Sequence, residues 1–275
     1  MPDFLDPAAG PLVITMTALG AFLGLIIGSF LNVVVARVPA AESIVRPGSR
    51  CPACLVPIAP RDNVPLLGWL LLRGRARCCG VRISARYPLV EAGTAVAFGG
   101  VVWWGLHRPG TAAALPALLY LAGISIALAL IDLDTFRLPF VIVAPAYPVS
   151  LVLLGAASWA GHDGRSAVRM LLGGAVLWGL YRLLHLIYPA GMGYGDVRLA
   201  GVLGLYLGWV GWSALAVGTF SGFLVGGVVG VVLLASGRAK LRGAIPYGPY
   251  LLTGAWLGLL VGSQVGHWYL RSMGV

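Results

Sequence analysis

The stretch Gly191-Met192-Gly193-Tyr194-Gly195-Asp196-Val197-Arg198-Leu199 places a carboxylate directly after a glycine-rich turn, where one long apolar segment ends and the next begins. An earlier acidic stretch, Ile131-Asp132-Leu133-Asp134-Thr135-Phe136-Arg137-Leu138-Pro139, lies at an equivalent edge. Acidic side chains are costly to hold at the edge of a membrane span, so by default they indicate a functional site. We therefore predict that Asp132 and Asp196 meet and form a pair of acid–base carboxylates at a membrane boundary.

The composition places the chain in the membrane class. It is 59% hydrophobic and only 10% charged, with a mean hydropathy of +0.90, whereas a soluble domain carries about 25% charged residues. The net charge of +10 does not indicate a nucleic-acid partner, because nine of the nineteen basic residues fall between Arg37 and Arg86, in one long polar loop. No basic groove motif with interleaved aromatic residues is visible, so we expect no nucleic-acid binding.

Apolar runs of about 20 residues are the signal of membrane-spanning helices. We predict an all-α polytopic membrane protein with about eight transmembrane helices and a cytoplasmic cysteine-containing insert after the first helix. The predicted domains are the first transmembrane helix (1–38), the insert (39–86) and a transmembrane catalytic domain (87–275). The predicted spans are 11–38, 87–106, 112–131, 139–160, 168–188, 199–215, 216–236 and 250–270.

The distribution of positive charge predicts how the chain is oriented. With Arg37 included, the loops 39–86, 132–138, 190–198 and 237–249 carry fourteen of the nineteen basic residues. Short loops rich in lysine and arginine face the cytoplasm. We therefore expect both acidic stretches to lie on the cytoplasmic face, as a shared site requires.

A pair of close carboxylates can hydrolyse a peptide bond. The reaction needs a water made nucleophilic and a leaving group that is protonated, and two carboxyl groups sharing one proton can do both. Gly193 and Gly195 have no side chains, so backbone or substrate can approach Asp196 closely. The alternative is that Asp132 and Asp196 only cap helices or pair with neighbouring arginines.

Several motifs in order resemble one known family. Gly193-Tyr194-Gly195-Asp196 matches the GxGD signature of intramembrane aspartic proteases, and the chain resembles the type IV prepilin peptidases, the bifunctional leader peptidase/N-methyltransferases, over nearly its full length. The other matching motifs are Gly28-Ser29-Phe30-Leu31-Asn32-Val33, Cys51-Pro52-Ala53-Cys54, Asn63-Val64-Pro65, Ile83-Ser84-Ala85-Arg86-Tyr87-Pro88-Leu89-Val90-Glu91, Ile131-Asp132 with Leu138-Pro139, and Ile245-Pro246-Tyr247-Gly248-Pro249-Tyr250.

The resemblance implies roles for individual residues. Asp132 corresponds to the first catalytic aspartate and Asp196 to the second, with Asp134 as the alternative for the first position. Gly193, Gly195, Pro139 and Glu91 would shape the site, and Glu91 is more typical of a structural hydrogen-bond partner than of a catalyst.

The resemblance also implies a substrate and a location. The substrates would be prepilins or pseudopilins, cut between a short polar leader and a hydrophobic helix. The location would be the bacterial inner membrane, with the lipid bilayer as the other partner and the active site facing the cytoplasm. Phe140 stands where many relatives have an acidic residue and Arg198 where lysine is common, and neither is expected to touch the two aspartates.

The insert contains all four cysteines, Cys51, Cys54, Cys78 and Cys79. Their cytoplasmic placement favours a metal site over disulfides. The family's insert carries two C-x-x-C pairs that suit tetrahedral zinc, but here Ala76 stands where the third cysteine is expected. Adjacent cysteines chelate one ion awkwardly, so a structural zinc site and free thiols both remain open.

The resemblance further implies methylation of the new N-terminus with S-adenosylmethionine as the cofactor, although the sequence contains no glycine-rich nucleotide loop. Two readings from other classes remain. One is a proton-coupled transporter in which both aspartates relay protons. The other is an inactive membrane scaffold.

Overall fold

A computed structural model describes residues 9–189, 191–237 and 246–274, and these residues are mostly helical. Within these ranges the chain forms eight long α-helices and one short α-helix, which confirms the predicted all-α architecture. The helices are α1 (Ala9–Arg37), the short α2 (Leu67–Leu71), α3 (Arg86–Leu106), α4 (Leu115–Thr135), α5 (Phe140–Ala160), α6 (Gly164–Ile187), α7 (Tyr194–Val210), α8 (Trp212–Ala235) and α9 (Gly248–Ser272).

Six of the long helices are long and apolar enough to cross a membrane: α1, α3, α4, α5, α6 and α8. The helix boundaries differ from the predicted ones around the two aspartates. Asp132 lies within α4 rather than in a following loop, because this helix continues to Thr135. Asp196 likewise lies within the first turn of α7, which begins at Tyr194.

The boundary between the sixth and seventh predicted spans also moves. It was predicted at residues 215 and 216, but the helices are separated at Gly211, which has φ 157° and ψ 167°. Backbone of this kind is essentially restricted to glycine. A single glycine is therefore sufficient to end α7 and begin α8. No polar turn marks this boundary in the sequence, which is why it was misplaced.

The chain divides into two compact units, with the division between Ala127 and Leu128. In the first unit, α1 packs against α3 through small residues. A Cβ on Gly24 would lie 2.7 Å from the Cα of Ala95, and one on Gly28 would lie 2.7 Å from the Cα of Glu91. Small residues that let two backbones approach in this way are typical of helix contacts in membranes.

The polar insert of the first unit is held by its own bonds. Isolated antiparallel bridges join Arg50 to Pro57 and Arg75 to Arg82. The Arg77 guanidinium donates to both oxygens of Asp62, with the shortest distance 2.8 Å. This ion pair raises the pKa of Arg77 and lowers that of Asp62.

The second unit is built around α7. Most of its side chains are buried, from Asp196 to Gly208, because α5, α6, α8 and α9 all pack against it. The contact with α6 is closest where glycines face each other, since a Cβ on Gly173 would lie 2.6 Å from the carbonyl oxygen of Gly204. Asp196 is thus carried by the central helix of its unit.

Gly173→Ala should destabilise the second unit by about 1–3 kcal/mol, because the new methyl group would clash with α7 backbone that cannot move aside cheaply. Thermal unfolding of the purified protein in detergent measures the change. Gly179→Ala in the same helix is the matched control, since a Cβ there meets nothing within 4 Å. If both variants melt at the temperature of the wild type, the close helix contact contributes no stability.

Candidate active site

Asp132 lies in the last turn of α4 and is only 4% exposed. Its Oδ2 accepts a hydrogen bond of 2.9 Å from the backbone N–H of Gly248, the first residue of α9. Asp134, the alternative for the first catalytic position, is exposed. Of the two acids in this stretch, the structure therefore buries Asp132 alone.

Asp196 is the third residue of α7 and is 8% exposed. Its Oδ2 accepts a hydrogen bond of 3.1 Å from the backbone N–H of Gly193, which immediately precedes the helix. Asp196 therefore caps its own helix, as the alternative interpretation expected. A carboxylate has two oxygens, each able to accept more than one bond, so capping leaves capacity for other partners.

Both aspartates belong to the second unit, and the glycines next to them meet the same side chain. A Cβ on Gly195, which precedes Asp196, would lie 2.9 Å from the Cβ of Leu138, and one on Gly248, which binds Asp132, would lie 3.1 Å from its Cδ2. The two acids are therefore directed to one region of the unit, around Leu138. Pro139 follows Leu138 and forms the N-cap of α5.

Aromatic side chains line the same region. Tyr181 of α6 is fully buried, stacks on Phe223 of α8 at 5.4 Å between centroids, and lies with its hydroxyl 3.3 Å from the hydroxyl of Tyr247. Tyr247 immediately precedes Gly248, whose backbone N–H binds Asp132. This aromatic group therefore lies next to the first acid along the chain.

These aromatic and backbone partners had no assigned role in the sequence analysis. Tyr247 and Gly248 lie in the motif at 245–250, of which Ile245 is outside the described residues. Its Gly-Pro pair did carry a usable signal, because proline is common at the first helical positions, where N–H groups are free to bind an anion. Tyr181 carries no comparable signal, since nothing in its own segment distinguishes it.

The two residues that depart from the family pattern contact each other. The Arg198 guanidinium lies 4.5 Å from the ring centroid of Phe140 and 4.5 Å from that of Tyr194. Cation–π contacts of this kind are favourable where water is scarce. The departures thus form one packed group beside Asp196.

Glu91 belongs to the first unit, in the second turn of α3. Its buried carboxylate accepts a hydrogen bond of 2.7 Å from the backbone N–H of Leu66 in the insert. It therefore joins the insert to a membrane helix.

The structure gathers the four cysteines of the insert. Their Sγ atoms all lie within 4.8 Å of one another. Cys51 is 3.6 Å from Cys79 and Cys54 is 3.2 Å from Cys78. Four sulfurs around one zinc are about 3.8 Å apart, given a Zn–S bond of about 2.3 Å. The neighbouring positions of Cys78 and Cys79 therefore do not prevent a four-sulfur cluster.

The local backbone also lowers the pKa of one of these thiols. N–H groups of Cys54 and Ala53 point at the sulfur of Cys51 and lower the pKa of this thiol to about 6. Contact with Cys54 raises the pKa of the Cys78 thiol to about 12. The thiolate is the form that binds metals, so the cluster holds one thiol already inclined to ionise and could bind a metal ion.

Comparison with known families and proteins agrees with this arrangement. The profile of the bacterial peptidase A24 N-terminal domain matches residues 22–105, and that of the type IV leader peptidase family matches residues 119–235.

Similar proteins match over nearly the full length. A prepilin leader peptidase/N-methyltransferase of Stutzerimonas stutzeri is 34% identical over 96% of both chains. One of Pseudomonas aeruginosa is 35% identical over 99% of this chain and 98% of its own. One of Aeromonas hydrophila is 38% identical over 90% and 91%, respectively. No solved structure matches the chain.

Proposed function

Because the chain belongs to the type IV leader peptidase family, we propose that this multi-pass bacterial membrane enzyme removes the leader peptide from type IV prepilins or pseudopilins. The observation that carries the proposal is the placement of Asp132 and Asp196. They are two buried acids of one packed unit, each bound by a backbone N–H at the start of a helix, and the glycines beside them both meet Leu138. A transporter that relays protons could also use two buried carboxylates, but the match to the type IV leader peptidase family and to leader peptidase relatives favours proteolysis.

In the proposed reaction, one aspartate is ionised and the other is protonated. The ionised carboxylate takes a proton from a water molecule, whose oxygen attacks the carbonyl carbon of the scissile bond. The protonated carboxyl donates its proton to the carbonyl oxygen, and the tetrahedral intermediate collapses when a proton reaches the leaving nitrogen. The protons belong to the pair, so neither aspartate is assigned a fixed role.

Two helix N-termini prepare the pair for this chemistry. Gly248 N–H at the start of α9 binds Asp132, and Gly193 N–H at the start of α7 binds Asp196. The positive end of a helix dipole favours a negative charge placed there. Each backbone donor also fixes the rotation of its carboxyl group, which leaves the second oxygen available for water or substrate.

The proposed cleavage occurs at the cytoplasmic edge of the membrane. The proposal is supported by the concentration of basic residues in the sequence stretches 39–86, 132–138, 190–198 and 237–249, two of which contain the aspartates. The substrate would present its polar leader to this side while its hydrophobic helix stays in the lipid. An acid pair held at the end of α4 and the start of α7 suits a bond at such a boundary.

N-methylation of the new N-terminus is the proposed second activity, in line with the name carried by the relatives. S-adenosylmethionine would supply the methyl group. The described residues form no strand, glycine loop and helix unit of the kind that holds nucleotides. We therefore assign no residue to the methyl donor and derive no step through it.

The four cysteines would hold one structural zinc ion, since their separations suit a tetrahedral four-sulfur site. A closed site of this type stabilises the fold around it and takes no part in catalysis. The proposed role is to hold the two turns of the insert together, at Cys51–Cys54 and at Cys78–Cys79.

Cys51→Ser should reduce bound zinc from about one ion per chain to nearly none, because it removes the most buried ligand and the thiol most inclined to ionise. Elemental analysis of the purified protein measures the content. Ser49→Ala, two residues away, is the matched control and should keep its zinc. Equal zinc in the wild type and Cys51→Ser would rule the cluster out as the metal site.

The proposed function is tested by the N-terminus of a candidate prepilin expressed with and without this protein. Mass spectrometry should show loss of the leader and, on the same peptide, an added methyl group only when the protein is present. An unprocessed N-terminus in both samples, with prepilins of several secretion and pilus systems, would contradict the proposal.

A further inference from the structure

The insert carries an apolar surface that no described residue covers. Its members, all exposed, are Val64, Leu67, Leu70 and Leu71, and we refer to residues 64–71 as the interfacial segment. Spacings of three and four residues place them along one side of α2 and the turn before it. Trp69 instead points into the insert, where its Nε1 donates to the carbonyl oxygen of Ile83 at 3.1 Å.

The interfacial segment is attached close to the end of α1 and the start of α3. The N–H of Leu66 donates to Glu91, which lies five residues after the first residue of α3. At about 1.5 Å per residue this is about 7 Å along the helix. Gly28 of α1 packs on the backbone of Glu91 and precedes the helix end at Arg37 by nine residues, or about 13 Å. The Glu91 side chain points back toward the start of its helix, so Leu66 is held close to the boundary marked by Arg37 and Arg86.

The backbone at the anchor is strained, and the strain is held in place. Leu66 has φ 59° and ψ −51°, and the N–H of Leu67 donates to the carbonyl oxygen of Pro65 at 2.6 Å. This geometry is a γ-turn of the rare kind with positive φ. Such a conformation persists only where the surroundings fix it, and the buried carboxylate of Glu91 does so by binding the N–H of Leu66.

The charges around the interfacial segment suit a lipid surface rather than the core of a second protein. Arg61 precedes the segment and Arg73 and Arg75 follow it, and all three are exposed. The loop 39–86 carries eight arginines against two acids, Glu42 and Asp62. Apolar side chains flanked by arginines are typical of helices that lie in the interface of an anionic membrane.

We propose that the interfacial segment inserts Val64, Leu67, Leu70 and Leu71 into the boundary between headgroups and acyl chains of the bilayer that the helices span, with Glu91 as its anchor. The occupant of the apolar surface is lipid. The insert is therefore fixed to the membrane at three points, namely the end of α1, the start of α3 and this segment. The proposal does not depend on the peptidase activity.

The test places the photoreactive residue benzoylphenylalanine at Leu71 in the full-length chain, in nanodiscs of phosphatidylethanolamine and phosphatidylglycerol. Val96 on α3 serves as the lipid-facing reference and Leu55 in the cysteine turn as the reference outside the segment. The three side chains are similarly exposed, at 79%, 75% and 66%. After irradiation, mass spectrometry should find lipid adducts at Leu71 comparable to those at Val96 and about tenfold above those at Leu55.

Adducts of Leu71 with peptides of this chain, or lipid adducts no more frequent than at Leu55, would overturn the proposal. Glu91→Gln tests the anchor separately, because the amide is a weaker acceptor than the carboxylate. In that variant we expect lipid adducts at Leu71 to fall several-fold while those at Val96 stay unchanged. If Leu71 keeps its full lipid adducts, Glu91 does not anchor the segment.

Discussion

Asp132→Asn and Asp196→Asn should each reduce leader cleavage by about three orders of magnitude or more. An amide cannot accept the proton of water or donate an acidic proton, so either change removes the acid–base work of the pair. Both replacements keep the size of the side chain, and the amide oxygen can still accept the bond from Gly248 or Gly193. Quantitative gel or mass analysis of a prepilin incubated with the purified enzyme measures the rate.

Asp134→Asn is the matched control for this pair, because Asp134 lies two residues from Asp132 in the same helix and is exposed. We expect cleavage within about twofold of the wild type, as is usual for exposed substitutions. The double variant Asp132→Asn/Asp196→Asn should be no worse than either single variant, since groups that act as a unit are not additive. Substantial cleavage by either single variant would refute the acid pair.

Gly248→Ala should lower kcat for leader cleavage by about 10- to 100-fold. A Cβ on Gly248 would lie 2.9 Å from Oδ2 of Asp132 and 3.1 Å from Cδ2 of Leu138. The carboxyl group would have to move away from its backbone donor, and a misplacement of about 1 Å can cost about 100-fold in rate. The effect should appear in kcat rather than KM, because the change acts on a reacting group.

Steady-state kinetics on a leader peptide substrate, with the fold checked by thermal unfolding, distinguishes this effect from simple loss of structure. Gly230→Ala in α8 is the control, since a Cβ there meets nothing within 4 Å, and its kcat should equal that of the wild type. A Gly248→Ala enzyme that is folded and as fast as the wild type would show that the N-terminus of α9 does not position Asp132.

The helical architecture could be predicted because its cause is local. Runs of apolar residues interrupted by charge determine where helices cross a membrane, and the predicted spans correspond one to one with the eight long helices. The least accurate boundaries were those of α7. There the ends are set by Gly193 and Gly211, and the helix between them is buried among other helices rather than placed in lipid.

The site was predictable only in part, for a related reason. Asp132 and Asp196 stand out in sequence because a carboxylate in an apolar segment is costly, and the structure buries both. Their partners do not stand out. The donor to Asp132 is a backbone group of α9, and Tyr181 reaches Tyr247 only through the packing of α6 against neighbouring helices. Contacts that arise from tertiary packing produce no recognisable pattern in the sequence of either segment.

The cysteine cluster shows the opposite case, because the local sequence suggested a difficulty for metal binding that the structure removes. Adjacent cysteines suggested poor chelation, but the turn at residues 76–80 allows Cys78 to face Cys54 while Cys79 faces Cys51. The sulfurs of Cys78 and Cys79 lie 3.8 Å apart and both face the same cluster, because the backbone turns at these residues. The spacing of cysteines in the sequence therefore predicts a metal site less well than the conformation of the turn on which they lie.

The bond between Asp132 and Gly248 joins residues 116 positions apart, which has a consequence for how the enzyme matures. During synthesis, Asp132 leaves the ribosome long before α9 has been made. Its hydrogen bond from the N–H of Gly248 can therefore form only late. Under the proposed mechanism, the acid pair is complete only once α9 has been made. We therefore expect the nascent chain to lack full protease activity during membrane insertion, and a chain truncated before α9 to cleave leaders poorly.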